Sequence, residues 1–306
     1  MLMATKLPIL VVAYNRPDDV TQVMRVLQVY QPLRLYLACD GPRMQNPGDD
    51  EKVTHTREAM LAAVNWECEL YTLFREKNLG CGPGVCGAIT WFFEHEEYGI
   101  ILEDDVIVSQ DFIRLCEDLL PRYKNEDRIM QISSRNTSGR KDIPNSYVYS
   151  QVFHCWGWAT WRRAWQHMDM SMEGINKVSV WYMIRRIGIL PGIFKYYRTM
   201  HKYKHIAQYS AWAARWDLSI LVRDGIGICP GVNLSENIGM AEGEHYSDAD
   251  SKRPEALVKI SPFVWPIVYN DSMRIDERQK RLDIRTFWKE RWFGLKKKLK
   301  CFGRYV

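Results

Sequence analysis

A chain of 306 residues that is 46% hydrophobic and 26% charged has ample apolar material for a core, which excludes disorder and suits a single elaborated domain. Its formal charge of +5 is confined: residues 287–306 carry seven Lys or Arg against Glu290 alone, a local +6, so residues 1–286 sum to −1. Nucleic-acid binders spread positive charge over the face that meets phosphate, so no nucleic-acid partner is expected.

The first apolar run, residues 7–13, follows no basic leader and is too short to span a bilayer, so neither a signal peptide nor a transmembrane helix is expected. Residues 8–13 read as a β-strand. Asn15-Arg16-Pro17 then opens a helix whose Val20, Val23, Met24 and Leu27 form an apolar face. A second strand over 33–39 ends in Asp40-Gly41-Pro42, a helix follows over 51–65, and 69–74 is a third strand. A glycine-rich turn at 78–84 leads into a helix running to about His95. A fourth strand, 98–102, runs straight into Glu103-Asp104-Asp105. Strands alternating with helices predict an α/β fold with a mostly parallel central sheet covered on both faces. Ligands of such sheets sit at the carboxyl ends of the strands, where Asn15-Arg16, Asp40 and the acid triplet all fall.

Beyond Gln131 the pattern loosens. Residues 147–152 read as a strand and are followed by a Trp-rich stretch, 154–165. Trp158, Trp161 and Trp165 recur at 3–4 spacing, as on a buried helix face, which leaves Trp156 and Gly157 for a cleft where an aromatic face meets a sugar. Helices are predicted over 179–204 and 210–223, with a short strand over 225–229. The eight cysteines include no Cys-x-x-Cys pair, which points to free thiols in a cytoplasmic chain rather than disulfides or a zinc site. The turn at 78–84 is neither a P-loop nor a GxGxxG fingerprint.

Three adjacent carboxylates raise one another's pKa unless a cation offsets them. Oxygen donors at a strand end suit Mg²⁺ or Mn²⁺, with phosphate oxygens completing the shell. The plainer alternative is a solvated turn capping a helix that begins near Gln110. The stretches 8–16, Asp40, 102–105 with 109–112, 153–158 and Trp216-Asp217 follow one another in an order that resembles GT-A-fold glycosyltransferases. They are similar to the animal N-acetylglucosaminyltransferase I family and to bacterial relatives grouped with family 2 glycosyltransferases. The resemblance covers roughly residues 7–245. It implies a GT-A, Rossmann-like nucleotide-diphospho-sugar transferase fold: 1–135 as the donor-binding half, 136–260 as the acceptor-binding and catalytic half, and 261–306 as an extension without counterpart.

The same resemblance implies Asp105 as a metal ligand, Asp104 beside the donor ribose, Arg16 at the nucleotide or diphosphate, and Asp40 at the base. Tyr14 is expected to offer a face under that base. Asp217 is expected to be the general base of an inverting transfer, the alternative being a helix-surface acid paired with Arg215 or Arg223. His245, in a polar loop over 233–245, is expected to close on the metal or diphosphate, against the alternative of a solvated side chain.

At the end of the chain Trp288, Trp292, Leu295, Leu299 and Phe302 form one apolar stripe flanked by Lys289, Lys296 and Lys298. Such a basic amphipathic helix suits an anionic membrane surface, unless it packs on the domain. The expected protein is a metal-dependent glycosyltransferase at the inner face of the membrane. It would use a nucleoside-diphosphate sugar and a glycan or lipid-linked acceptor in surface polysaccharide synthesis. One alternative, a sugar nucleotidyltransferase, lacks the expected Gly-rich basic loop after the first strand. The other, a non-catalytic glycan- or membrane-binding module, leaves the acid triplet unexplained.

Overall fold

The computed structural model describes residues 6–140, 142–143, 146–208, 211–239, 258–286 and 288–289. Its first half alternates strand and helix: β1 (Ile9–Ala13), α1 (Pro17–Tyr30), β2 (Arg34–Cys39), α2 (Asp49–Ala62), β3 (Glu69–Phe74), α3 (Cys81–His95) and β4 (Tyr98–Glu103). A short β5 (Val106–Val108) leads into α4 (Gln110–Arg122), where the Ser109 hydroxyl accepts from the Phe112 N–H as an N-cap. The second half contributes β6 (Ile129–Ser133), β7 (Tyr147–Ser150), β8 (Trp158–Trp161), α5 (Arg162–Trp165), α6 (Val180–Ile187), α7 (Ile189–Lys204), α8 (Trp212–Val222), β9 (Ile226–Pro230) and β10 (Ser235–Asn237).

Eight strands form one mixed, mostly parallel sheet in the order β3-β2-β1-β4-β8-β6-β9-β7, in which β8 and β7 run against the rest. Both halves of the chain thus share one sheet. Alternation along β1 divides the core. Ile9, Val11 and Ala13 pack with α1, α2 and α4 on one face, and Leu10 packs with α3, α5 and α8 on the other. The apolar face expected on α1 is buried throughout. This is an α/β architecture with a Rossmann-like arrangement of sheet and helices.

Three expectations are corrected. The segment around Trp158 is a strand rather than a helix. Trp158 joins the α3/α8 side of the core and Trp161 the other side, as the two-residue period of a strand requires. The single helix expected over 179–204 is two, because Gly188 sits at φ 95, outside helical space, and ends α6 with its N–H on the Ile184 carbonyl. The turn at 78–84 gives way to α3 at Cys81. β6 was not anticipated, although all five of its residues are buried.

Residues 258–286 fold back as a strap. The Trp265 indole donates to Asp111 at 2.8 Å, the Arg114 and Arg122 guanidinia lie 3.9 and 4.1 Å from the ring centroids of Trp265 and Tyr269, and the Ser150 hydroxyl donates to Asp283. The apolar stripe of the tail falls almost entirely outside the described residues; only its first member, Trp288, is described. Among the described residues no helix is long and apolar enough to cross a membrane.

Candidate functional site

The register of the central strands decides which polar groups meet. Val12 on β1 stands beside Glu103 on β4, and Ala13 beside Cys39 on β2. Each strand is buried up to its last residues, so polar side chains first appear where the strands end. Tyr14, Arg16, Asp40 and the acid triplet are brought to one rim in this way. With Trp156 they line a cavity of about 230 Å³.

Hydrogen bonds fix this rim. The Tyr14 N–H donates to Asp104 at 3.0 Å, and one Arg16 nitrogen lies 2.6 Å from Asp105 and 3.5 Å from Asp104. Asp49, at the start of α2, accepts from the Tyr14 hydroxyl, the Asn15 amide and the Arg43 N–H. Burial works against the charge on Asp49, but these donors outweigh it and hold its pKa below the usual carboxylate range. The Arg43 guanidinium also lies 5.1 Å from the centroid of the Tyr14 ring.

The acid triplet carries more negative charge than its neighbours balance. Burial first, and then the adjacent carboxylates, push Glu103 and Asp104 well above the usual carboxylate range; Arg16 pulls the other way without cancelling this. Glu103 also accepts a hydrogen bond from the Trp212 side chain. For Arg16 burial opposes the charge, and Asp104 and Asp105 more than restore it.

Among the described residues no three His, Cys, Asp or Glu side chains form a metal-ligand group by themselves. The donor chemistry fits: the oxygens are hard ligands, and the cluster has a surplus of acid. Asp105 would hold a Mg²⁺ or Mn²⁺ ion. His245 lies outside the described residues.

Two of the expected contacts sit differently. Both oxygens of Asp40 are already engaged, accepting from the N–H groups of Gly41, Leu79 and Gly80 at 3.0–3.1 Å. Asp40 therefore clamps the entry to α3, and a nucleobase would have to compete with those donors. Gly157 does not reach the cleft. It is buried at φ 69, and a Cβ there would lie 2.4 Å from a Val108 methyl, so its missing side chain serves packing against β5.

Two further cavities lie next in line, each sharing lining residues with its neighbour. One of about 300 Å³ is lined by Glu103 and Trp156 on the donor side and by Arg135, His154 and Asp217 beyond. Burial first, and then Arg135, press the His154 pKa down to about 4, so it is neutral at pH 7. The next, of about 330 Å³, shares His154 and Asp217 and is walled by Lys195, Arg198, Thr199 and Lys202 of α7. Asp217 is partly exposed and pairs with Lys195 at 2.8 Å, not with Arg215 or Arg223. Asp217 and Glu103 thus line the same junction cavity.

Sequence reasoning missed several lining groups. Arg75 lines the first cavity directly after the last residue of β3, so the strand-end rule used for Asp40 would have found it. Arg135 lies 4.2 Å from the Trp156 ring, but it follows the unanticipated β6. Asn237, a weaker candidate than His245 in the 233–245 loop, lies on β10 and lines the first cavity, where its buried Oδ1 has no partner among the described residues.

No protein-family model matches the chain, and no curated protein matches it in sequence. Among solved structures it is similar to HddC from Yersinia pseudotuberculosis, with 8% identity and a TM-score of 0.30 over 51% of this chain and 77% of that one. A likeness at that level bears on neither fold family nor activity.

Proposed function

We propose that this chain is a GT-A-fold glycosyltransferase that moves a sugar from a nucleoside-diphosphate sugar to a glycan or lipid-linked acceptor, with Mn²⁺ or Mg²⁺ and with inversion at the anomeric carbon. The reading rests on one observation: three carboxylates and Arg16 meet at the carboxyl ends of β1 and β4, in a cavity also lined by Tyr14, Arg43 and Arg75. Carboxylates and guanidinia side by side are what a metal–diphosphate pair requires. The acids take the cation and the arginines take phosphate oxygens. A bound metal would neutralise charge on the departing diphosphate.

In this scheme the Tyr14 ring carries the base, Asp104 meets the ribose and Arg16 the diphosphate. The acceptor hydroxyl lies in the junction cavity beside Asp217. Its oxygen bonds to the anomeric carbon as the bond to diphosphate breaks, and the proton passes to Asp217. Lys195 must first leave Asp217. Glu103 is the second candidate for this proton: it borders both cavities, and burial raises its own proton affinity. Membrane association at the inner face, through the basic tail, belongs to the same proposal.

Thermal unfolding with UDP or GDP, with and without Mn²⁺, tests the reading, because a ligand of the folded state raises the melting temperature. Metal-dependent stabilisation is expected, followed by a product-mass screen of nucleotide sugars with lipid-linked acceptors. No response to any nucleotide would leave the acid cluster without this function.

A further inference from the structure

Residues 174–216 contain eight Lys or Arg and no Asp or Glu. Outside this segment and residues 287–306 the chain sums to −9. The acid-free segment builds α6 and α7, and α7 presents three different faces. Tyr196, Met200 and Tyr203 pack against a small cluster around Met183 and Leu218. Lys195, Arg198, Thr199 and Lys202 face the third cavity. The remaining face is apolar and open to solvent: Leu190, Ile189 and Tyr197 are 72%, 66% and 64% exposed, and Ile193 and Phe194 are 37% exposed.

These five side chains form two adjacent rows at four-residue spacing, 189-193-197 and 190-194, so they make one stripe about 12 Å long on the helix surface. The Trp288 ring lies 5.5 Å from Phe194, so the stripe continues into the start of the basic C-terminal segment. An exposed apolar stripe of this kind marks an interaction surface, and the surrounding charge selects its partner. A second copy of the chain would bring the same acid-free cationic helices together. An anionic bilayer offers apolar acyl chains to the stripe and headgroup charge to the exposed Arg185 and Lys204.

We propose that α7 docks the protein on an anionic membrane surface through Ile189, Leu190, Ile193 and Tyr197. The opposite flank of the same helix walls the cavity that Asp217 borders. Resting on the transferase reading, this makes the acceptor a membrane-borne molecule that enters from the bilayer side, its anionic part met by Lys195 and Arg198.

Vesicle flotation of the full chain tests the docking, comparing phosphatidylglycerol-containing vesicles with pure phosphatidylcholine, for wild type and for Leu190→Ser/Tyr197→Ser. Both side chains are largely exposed, so the variant is expected to fold, and unchanged stabilisation by UDP or GDP with Mn²⁺ would verify this. The expected result is selective flotation of wild type with the anionic vesicles and at least about a tenfold weaker partition for the variant. Slower hydrogen exchange over 189–204 on those vesicles should accompany it. Equal partition of wild type and variant overturns the proposal, as does a wild-type dimer that the substitutions dissociate. Loss of nucleotide stabilisation in wild type with flotation intact would remove the transferase reading and leave the docking in place.

Discussion

The rims on either side of Glu103 are built in opposite ways. On the side of the acid triplet the lining residues extend from largely buried central strands, and Asp40 and Asp49 each tie down three donors. Beyond Asp217 the wall is α7, whose one fully buried residue is Gly192 and whose cavity-facing side chains are long cations. Groups anchored on a rigid sheet are preorganised for a fixed ligand such as a metal–diphosphate, whereas a peripheral helix can shift and adapt to a variable acceptor. Losses on the first rim should therefore be abrupt, and losses on the second graded.

The sharpest test of that contrast is Asp105→Ala. It removes the most accessible ligand oxygens and frees Arg16, so turnover should fall by about a thousandfold or more, as expected when several kcal/mol of metal stabilisation are lost. Mn²⁺-dependent nucleotide binding, followed by calorimetry, should disappear with it. Retained metal-dependent affinity would take Asp105 out of the site. Asp217→Asn should act differently, lowering turnover by about a hundredfold to ten-thousandfold while leaving donor affinity unchanged. A near-normal rate would transfer the role of base to Glu103, for which Glu103→Gln is the matching variant.

The legibility of the sequence follows the same division. Strand ends are local events, so Tyr14, Arg16, Asp40, Asp104 and Asp105 could be read from hydrophobic runs that stop at polar residues, and they line one cavity. Indoles at 3–4 spacing suit a helix, but antiparallel pairing with β4 makes Trp158–Trp161 a strand, and the helix begins only at Arg162. The Lys195 partner of Asp217 is 22 residues distant on another helix, and nothing in local spacing identifies it. The resemblance to GT-A enzymes selected Asp217 itself; its helical surroundings would not have done so.

Gly157 separates packing from chemistry at the seam between the two rims. Gly157→Ala combines a positive φ with a Cβ 2.4 Å from Val108, so stability should fall by about 1–3 kcal/mol, read as a lower melting temperature. Because Gly157 is buried under β5 and does not line the cleft, acceptor KM should change little at temperatures where the variant is folded. A large KM effect with unchanged melting would restore it to the sugar site.

The smallest expected effect is the pH dependence of the metal-free protein, and its sign tests the acid cluster directly. Glu103 and Asp104 are held above the usual carboxylate range mainly by burial, and next by their acidic neighbours. As pH rises from about 5 to about 8, an unfolded chain has already released these protons while the folded chain retains them. The folded state therefore binds more protons in that window, and the contribution of these two groups to stability falls as pH increases. Saturating Mn²⁺ with a nucleoside diphosphate should oppose the fall, since the ion needs the ionised carboxylates, so the ligand-induced rise in melting temperature should grow with pH. The Glu103→Gln variant should flatten part of the metal-free slope. A slope of the opposite sign, or one identical in wild type and Glu103→Gln, would mean that Arg16 already neutralises the cluster and that no cation is called for.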